Sequence, residues 1–138
     1  MANMALGDIK NIRGRPTIFT EQLGEEICFA IAVSDKSLRA LCRENSHWPN
    51  ANTICEWRIK NKHFGEAYMR AKLQQIEVLV DEILAIADDA TQDNILNSRG
   101  KIVVDHGHIS RSRLRINTRK WLAAKLCPRL CGDYVRVP

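Results

Sequence analysis

Three polar side chains recur at helical spacing near the middle of the chain and have the chemistry needed to read a base pair. Asn52, Glu56 and Lys60 lie at i, i+4 and i+8, so a helix presents them along one face. An Asn amide forms paired hydrogen bonds with adenine, a Glu carboxylate accepts from cytosine, and a Lys ammonium attracts a phosphate. The neighbouring side chains that would mainly contact phosphates are Thr53, Lys60, Lys62, Arg39 and Arg43. This pattern predicts contacts with the major groove of DNA.

Two short helical patterns in residues 37–60 must position these side chains. In the first pattern, Leu38, Leu41 and Cys42 form an apolar face. In the second, Ile54 and Trp57 form the buried stripe opposite the polar one. The turn between them contains Pro49, and Asn50 is a suitable N-cap for the second helix. The pair is typical of a helix-turn-helix, although small helical pairs without a DNA partner share the same pattern.

The segment before this pair predicts a basic arm and one further helix. Residues 1–16 have the composition of a flexible arm, and Arg13 and Arg15 flank a glycine as in an AT-hook, a ligand of the minor groove. The alternative is a basic lead into the first helix. Thr20 can cap that helix, which is expected over about residues 21–33. Residues 17–63 are therefore predicted to form a three-helix DNA-binding domain.

A long helical pattern over about residues 64–90 is apolar on nearly all sides. Its most continuous apolar part includes Ile76, Leu79, Val80 and Ile83. Such a helix must be buried on several sides. Since a chain of 138 residues offers few helices as cover, the pattern predicts contacts with neighbouring subunits. A tightly packed hairpin within one subunit is the alternative.

Charge is distributed in blocks along the rest of the chain. Residues 1–63, 64–98 and 99–138 carry net charges of +2, −5 and +8. A last long helix, expected over about 109–126, places Arg111, Arg115 and Arg119 in a basic stripe, with Trp121 on its apolar face. We expect this stripe to form ion pairs within a helical hairpin or across a subunit boundary. Its expected partners are Asp81, Glu82, Asp88 and Asp89. Phosphate binding, a channel lining or an acidic partner are the alternatives.

Two short segments are expected to be extended. Gly100 and Gly107 bracket an apolar run that predicts a strand or a hairpin arm. Together with the two long helical patterns, this segment is assigned to a helical oligomerisation domain over residues 64–127. Residues 128–138 are expected to form a C-terminal strand or tail, because residues 133–137 alternate like a strand. The predicted fold class is mainly α, with a long central helical hairpin and a short C-terminal β segment.

The residues that could support catalysis, a metal or a membrane span do not form the required patterns. Five cysteines, an odd number, argue against a disulfide framework, and Cys28, Cys42 and Cys55 are expected to be small buried hydrophobic residues. No G-x-x-x-x-G-K-[ST] segment is available to bind a nucleotide phosphate. No closed set of zinc ligands is apparent, and no apolar run is long enough to span a bilayer. We therefore predict no catalytic residues, no metal, no cofactor, no membrane partner and an intracellular location.

Several segments, in order, resemble the phage terminase small subunits, and most closely those of short-tailed enteric phages. The resemblance covers about residues 14–134, and its most specific parts are residues 82–90 (EILAIADDA) and 113–121 (RLRINTRKW). The other matching segments are residues 14–17, 26–28 and 37–42, Trp57, and residues 128–133. Two features depart from the family: Arg58 follows Trp57 where a leucine is common, and the chain ends soon after Gly132-Asp133.

The resemblance implies a non-catalytic subunit that works in viral genome packaging in the host cell cytoplasm. Such subunits recognise a packaging site on concatemeric double-stranded DNA and recruit the terminase large subunit, which contains the ATPase and nuclease. Relatives form homo-oligomeric rings, commonly octamers, with the helix-turn-helix domains at the periphery and C-terminal strands that can pair into a barrel. The competing functions are a helix-turn-helix transcriptional regulator, a transposon-encoded DNA-binding protein and a small nuclease. Regulators differ from terminases in symmetry, because they are usually two-fold dimers.

Overall fold

The computed structural model describes residues 18–132, so the predicted basic arm and the predicted strand at 133–137 lie outside the described residues. The described chain is mainly helical, as the sequence predicts, with a short antiparallel sheet toward its C-terminal end. Its elements in order are α1 (Glu21–Ala32), α2 (Leu38–Glu44), α3 (Ala51–Lys60), α4 (Lys62–Asp88), β1 (Asn94–Leu96), β2 (Ile102–Val104), α5 (His106–Leu126) and α6 (Pro128–Cys131). The chain divides into two compact units, with the boundary between Gln75 and Ile76.

Side-chain caps begin each of the first three helices. The Thr20 hydroxyl accepts from the Leu23 amide at 3.2 Å, as the sequence predicts. Ser37 caps α2 in the same way, with 3.2 Å from the Ala40 amide to its Oγ. The predicted cap at Asn50 is also present. Each cap satisfies a backbone N–H that has no partner within the helix, which fixes where the helix begins.

The core of the first unit is built from all three short helices and the first half of α4. Ile27, Ile31 and Ile54 are fully buried together with Trp48. Phe64, Tyr68 and Ala71 complete this core from α4. Side chains beyond residue 63 therefore stabilise the packing of α1, α2 and α3, because three helices this short cannot bury all of their apolar faces.

A buried amide orders the connection between α1 and α2. The Gln75 side chain is buried, and its Nε2 donates to the backbone carbonyls of Ser34 at 2.9 Å and Lys36 at 3.0 Å. Both carbonyls lie outside the helices, so no helical backbone N–H is available to donate a hydrogen bond to them. A buried amide with both donors satisfied specifies the path of this turn.

The second unit contains the end of α4, the two strands and the last two helices. The strands pair with Ile95 opposite Val103, and the turn between them includes Gly100 at a φ of +74°, a conformation that favours glycine. The predicted hairpin arm is thus present. α5 begins at His106, three residues before the predicted start, because the Asp105 carboxylate caps it through the His108 amide at 3.0 Å.

The segment after α5 differs from the sequence prediction. We expected only a strand or tail from residue 128, but Pro128 begins the short helix α6. Proline suits the first helical position because its fixed φ is already helical and no N–H is lost there. Within residues 18–132, no helix is both long enough and apolar enough to cross a membrane.

Candidate nucleic-acid interface and assembly surfaces

The outward face of α3 carries the predicted polar stripe. Asn52, Glu56 and Lys60 are exposed, while Ile54 and Trp57 on the opposite side are buried. The Glu56 carboxylate and the Lys60 ammonium are 4.0 Å apart, and both side chains are solvated. An exposed pair of this kind contributes little to stability and leaves both groups available to a ligand. The face therefore offers an amide, a carboxylate and an ammonium in line along one helix.

The cap of α3 also restrains one residue predicted to contact DNA. The Asn50 carboxamide oxygen accepts from the Thr53 amide at 2.9 Å and from the Thr53 hydroxyl at 3.1 Å. The Thr53 oxygen keeps its capacity to accept, but its proton is directed toward Asn50. The helix N-terminus is consequently well ordered beside the exposed stripe.

The cationic residues predicted to contact phosphates are solvent-accessible where the structure describes them. Arg39 and Arg43 are exposed on α2, and Lys62 is exposed at the start of α4. All three belong to the same unit as α3. Arg13 and Arg15, the predicted minor-groove ligands, lie outside the described residues.

The turn before α3 is held by a carboxylate that the sequence analysis did not single out. Glu26 Oε1 accepts from the indole N–H of Trp48 at 3.0 Å and lies 2.6 Å from Nε2 of His47. The hydrogen bond from Trp48 has the largest effect and lowers the pKa of Glu26; burial opposes it, and the hydrogen bond and charge of His47 lower the pKa further. A tryptophan beside the turn proline was the available signal, but its partner is 22 residues away in sequence.

A close backbone approach fixes the corner between α3 and α4. A Cβ at Gly65 would lie 2.5 Å from the backbone oxygen of Arg58, so only glycine fits there. The Asn61 side chain caps the new helix by accepting from the Phe64 amide at 3.0 Å. The α3 helix is thus positioned from both ends, by the Trp48 turn and by this corner.

Arg58, the departure from the family motif, stacks on an aromatic ring. Its guanidinium carbon lies 4.1 Å from the centre of the Tyr68 ring, a cation–π geometry. Burial raises the pKa of Tyr68, and the Arg58 charge opposes that rise. Arg58 Nε is buried without a hydrogen-bond partner. The arginine side chain therefore packs against α4 from the position where a leucine is common in the family.

A groove between α3 and α4 opens beside this arginine. It has a volume of about 760 Å³ and is lined by Cys55, Arg58, Ile59, Lys62, Gly65, Glu66, Met69 and Arg70. Cys55 is exposed here, so the prediction that it is a buried hydrophobic residue is wrong, whereas Cys42 is buried as expected. The periodicity of α3 is compatible with either environment, since Cys55 lies beside the buried stripe rather than in it.

One of the predicted ion pairs forms within the second unit. The Arg119 Nε and Nη2 atoms donate to Glu82 Oε2 at 3.0 and 2.7 Å. The Arg119 side chain is 13% exposed and that of Glu82 is 33% exposed. This contact joins the end of α4 to the far half of α5, as an antiparallel hairpin requires.

The other predicted partners of the basic stripe do not pair within the described subunit. Arg111 and Arg115 are exposed, and within residues 18–132 neither forms an ion pair. Asp81 and Asp88 are also exposed. Asp89 instead accepts from the Thr91 hydroxyl at 2.6 Å, and this hydrogen bond lowers its pKa. Among residues 18–132, the expected charge-matched hairpin forms through Arg119 and Glu82.

Apolar side chains remain uncovered on the second unit. Ile76 and Leu79 are buried and Ile83 is half-buried, but Val80 is exposed and so is Trp121 on α5. Further exposed apolar side chains of this unit on α4, the strands and α5 include Leu84, Ile95, Leu96, Ile102, Val103, Val104, Leu114 and Leu126. A surface with this many exposed apolar groups is typical of a protein that has a binding partner. In residues 18–132, no group of His, Cys, Asp or Glu side chains is arranged to hold a metal ion.

Comparison with known proteins assigns this arrangement to a class. Residues 19–137 match the model of a family described as "Bacteriophage Sf6, terminase small subunit-like". Because the match spans most of the chain, the protein belongs to this family of phage terminase small subunits. No curated protein sequence matches the chain.

Three similar solved structures are variants of the terminase small subunit gp1 of the bacterial virus Sf6. One variant superposes with a TM-score of 0.71 at 28% identity and covers 89% of each chain. Two others give a TM-score of 0.71 at 27% identity and cover 89% of this chain and 84% of theirs. The fold and the family agree with the resemblance carried by residues 82–90 and 113–121.

Proposed function

We propose that this protein is the DNA-recognition subunit of a phage terminase. It binds the packaging site on concatemeric viral DNA and recruits the large subunit, the ATPase and nuclease, during genome packaging. The observation that supports this function best is the outward face of α3, where Asn52, Glu56 and Lys60 are exposed on a firmly held helix. A short helix presented in this way is the element that a helix-turn-helix inserts into the major groove.

Each side chain of this interface has a specific chemical part. Asn52 reads adenine through its amide, and Glu56 accepts a hydrogen bond from cytosine once DNA displaces Lys60 from it. Arg39, Arg43, Thr53, Lys60 and Lys62 hold the phosphates on either side. Arg13 and Arg15 extend the contact into the minor groove. One copy provides few base contacts, so specificity depends on several copies that bind one DNA molecule together.

Self-association supplies those copies. The exposed apolar side chains of α4, the hairpin arm and α5 are surfaces that a neighbouring subunit can bury. We propose a closed homo-oligomeric ring, an octamer by analogy with the family, in which the second unit is the oligomerisation domain. Its interface includes Ile76, Leu79, Val80, Ile83 and Trp121, together with the acidic set Asp81, Glu82, Asp88 and Asp89 and the basic set Arg111, Arg115 and Arg119. Native mass spectrometry measures the number of subunits directly.

The protein alone is proposed to be neither an ATPase nor a nuclease. The sequence has no glycine-rich phosphate loop, and no metal-binding group is present in residues 18–132. Both activities therefore belong to the large subunit. Purified protein incubated with ATP, magnesium and plasmid should leave ATP and DNA intact, and turnover that disappears on substitution of Asp88 or Asp89 would contradict this assignment.

The salt dependence of DNA binding tests the interface. The double variant Lys60→Ala/Lys62→Ala should bind all sequences more weakly, and its plot of log affinity against log salt should be flatter by about two units, because each phosphate contact adds about 0.9 to the slope. The matched control is Lys101→Ala/Lys120→Ala, which removes the same charge from two exposed lysines of the second unit. Equal losses in both double variants would move the DNA interface away from α3.

A further inference from the structure

The outward face of α1 has a composition that its own packing does not explain. α1 buries Gly24, Ile27 and Ile31 on one side. At 100° per residue, Phe29 lies on the opposite side, where 70% of it is exposed, and Val33 is exposed one turn later. The helix contains three glutamates and no basic residue. This acidic surface with an aromatic side chain at its centre is named the α1 face.

The groove between α3 and α4 has the opposite charge and a similar apolar centre. Ile59 is 85% exposed and Met69 is 46% exposed, although both side chains line a concave surface. The charged residues of the groove are Arg58, Lys62 and Arg70, with Glu66 as the one acidic member. A groove with an apolar floor and a basic rim fits an apolar side chain that has a carboxylate beside it.

We propose that the α1 face of one copy binds in the α3–α4 groove of the next copy, with Phe29 against Ile59 and Met69. Glu25 lies one turn before Phe29 on α1 and would face the basic rim at Arg70. A phosphate would match the charges of the rim but would gain nothing from the apolar floor. A second copy satisfies both, and every copy in an assembly brings both surfaces.

The two surfaces are different, so the contact is heterologous. Each copy uses its α1 face toward one neighbour and its groove toward the other, which generates a closed ring or an open filament rather than a two-fold dimer. The inference rests on the self-association proposed above. It adds a contact between the first unit of one copy and the first unit of the next copy. It therefore links neighbouring helix-turn-helix units directly, in addition to any contact made by the oligomerisation domain.

Cross-linking of the full-length assembled protein tests this contact. In the variant Phe29→Cys, a short bismaleimide should join the introduced thiol to the exposed Cys55 of the next copy and give a ladder of covalent dimers, trimers and larger species on a denaturing gel. The variant Phe29→Cys/Cys55→Ser should lose the ladder. Ser46→Cys, which places a thiol at an exposed position outside both surfaces, should give no ladder that depends on Cys55.

Charge exchange provides a second test, which probes the proposed pairing of Glu25 with Arg70. In the cross-linking background, Glu25→Arg and Arg70→Glu should each lower the ladder yield several-fold, and the two together should restore it. A ladder that ends at dimer, a ladder that survives Cys55→Ser, or DNA that protects Cys55 from alkylation in diluted protein would overturn the proposal. Native mass spectra of the same samples separate the two hypotheses: an intact ring without the cross-link contradicts this contact alone, whereas a monomer contradicts the ring as well.

Discussion

Replacement of Arg119 by alanine should destabilise the protein more than replacement of the exposed Arg113 on the same helix. Arg119 donates twice to Glu82 Oε2, at 3.0 and 2.7 Å, and only 13% of its side chain is exposed. Breaking a fully buried pair costs about 3–5 kcal/mol, and a solvated pair contributes at most about 1 kcal/mol. Since a third of Glu82 remains in contact with water, we expect a loss between these limits, about 2–3 kcal/mol.

Arg113→Ala is the matched control, because Arg113 is exposed on the same helix and is not among the residues assigned to the subunit interface. Its effect on stability should stay within about 0.5 kcal/mol. For a chain of this size, the Arg119→Ala loss corresponds to a fall of roughly 5–10 °C in melting temperature. The melts must be compared at one protein concentration, since self-association also stabilises the folded state.

A double-mutant cycle with Glu82→Ala assigns the loss to the pair itself. The coupling energy between Arg119 and Glu82 should be about 1–2 kcal/mol, with the rest of the loss coming from the packing of the arginine stem. If Arg119→Ala and Arg113→Ala melt alike, or if the coupling is near zero, the ion pair does not stabilise the hairpin. A melt that is unchanged while DNA affinity falls would instead assign the basic stripe to the nucleic-acid surface.

Two further predictions concern backbone packing and a buried turn. Gly65→Ala should destabilise the protein by about 2 kcal/mol or more in denaturant melts, because its Cβ would lie 2.5 Å from the Arg58 carbonyl oxygen. Gly107→Ala is the control, because its Cβ would meet only Asp105 at 3.4 Å. This control should be neutral or stabilising in the same melts. The pKa of Glu26 lies below its ordinary 4.5, so the stability that it contributes is present above that pH and is lost as the pH falls through the lower, folded-state value. Urea midpoints measured between neutral and acid pH should therefore fall less steeply for Glu26→Gln than for the unchanged protein, and parallel curves would contradict the role of this carboxylate.

Local features of the sequence predicted much of the first unit. The helix caps at Thr20 and Asn50 depend on interactions within a few residues, and both are present. The buried stripe of Ile54 and Trp57 on α3, opposite the polar stripe, is also present. The long helix was also located to within two residues at each end. Periodicity determines which face of a helix is apolar, so these features need no knowledge of the partner element.

Features that depend on distant partners were missed or only partly predicted. Glu26 binds Trp48 across 22 residues, and the Gln75 amide reaches carbonyls about 40 residues earlier, at Ser34 and Lys36. No periodic pattern marks such pairs. Likewise, matched blocks of charge predicted a basic helix opposite an acidic one. Which arginine meets which carboxylate depends on how far one helix is shifted along the other. Among residues 18–132, only Arg119 of the basic stripe reaches one of its expected partners.

The three tryptophans lie in contrasting environments, which gives the protein its own optical reporters. Trp48 is fully buried and Trp57 nearly so in the first unit, whereas Trp121 in the second unit is 61% exposed. A polar quencher added to the folded subunit therefore reaches mainly Trp121. If the quencher loses its effect on Trp121 as the protein concentration rises, another subunit has buried α5. A red shift of the emission in denaturant would report the unfolding of the first unit, where Trp48 and Trp57 are buried. Assembly and folding can thus be followed separately in one unlabelled sample.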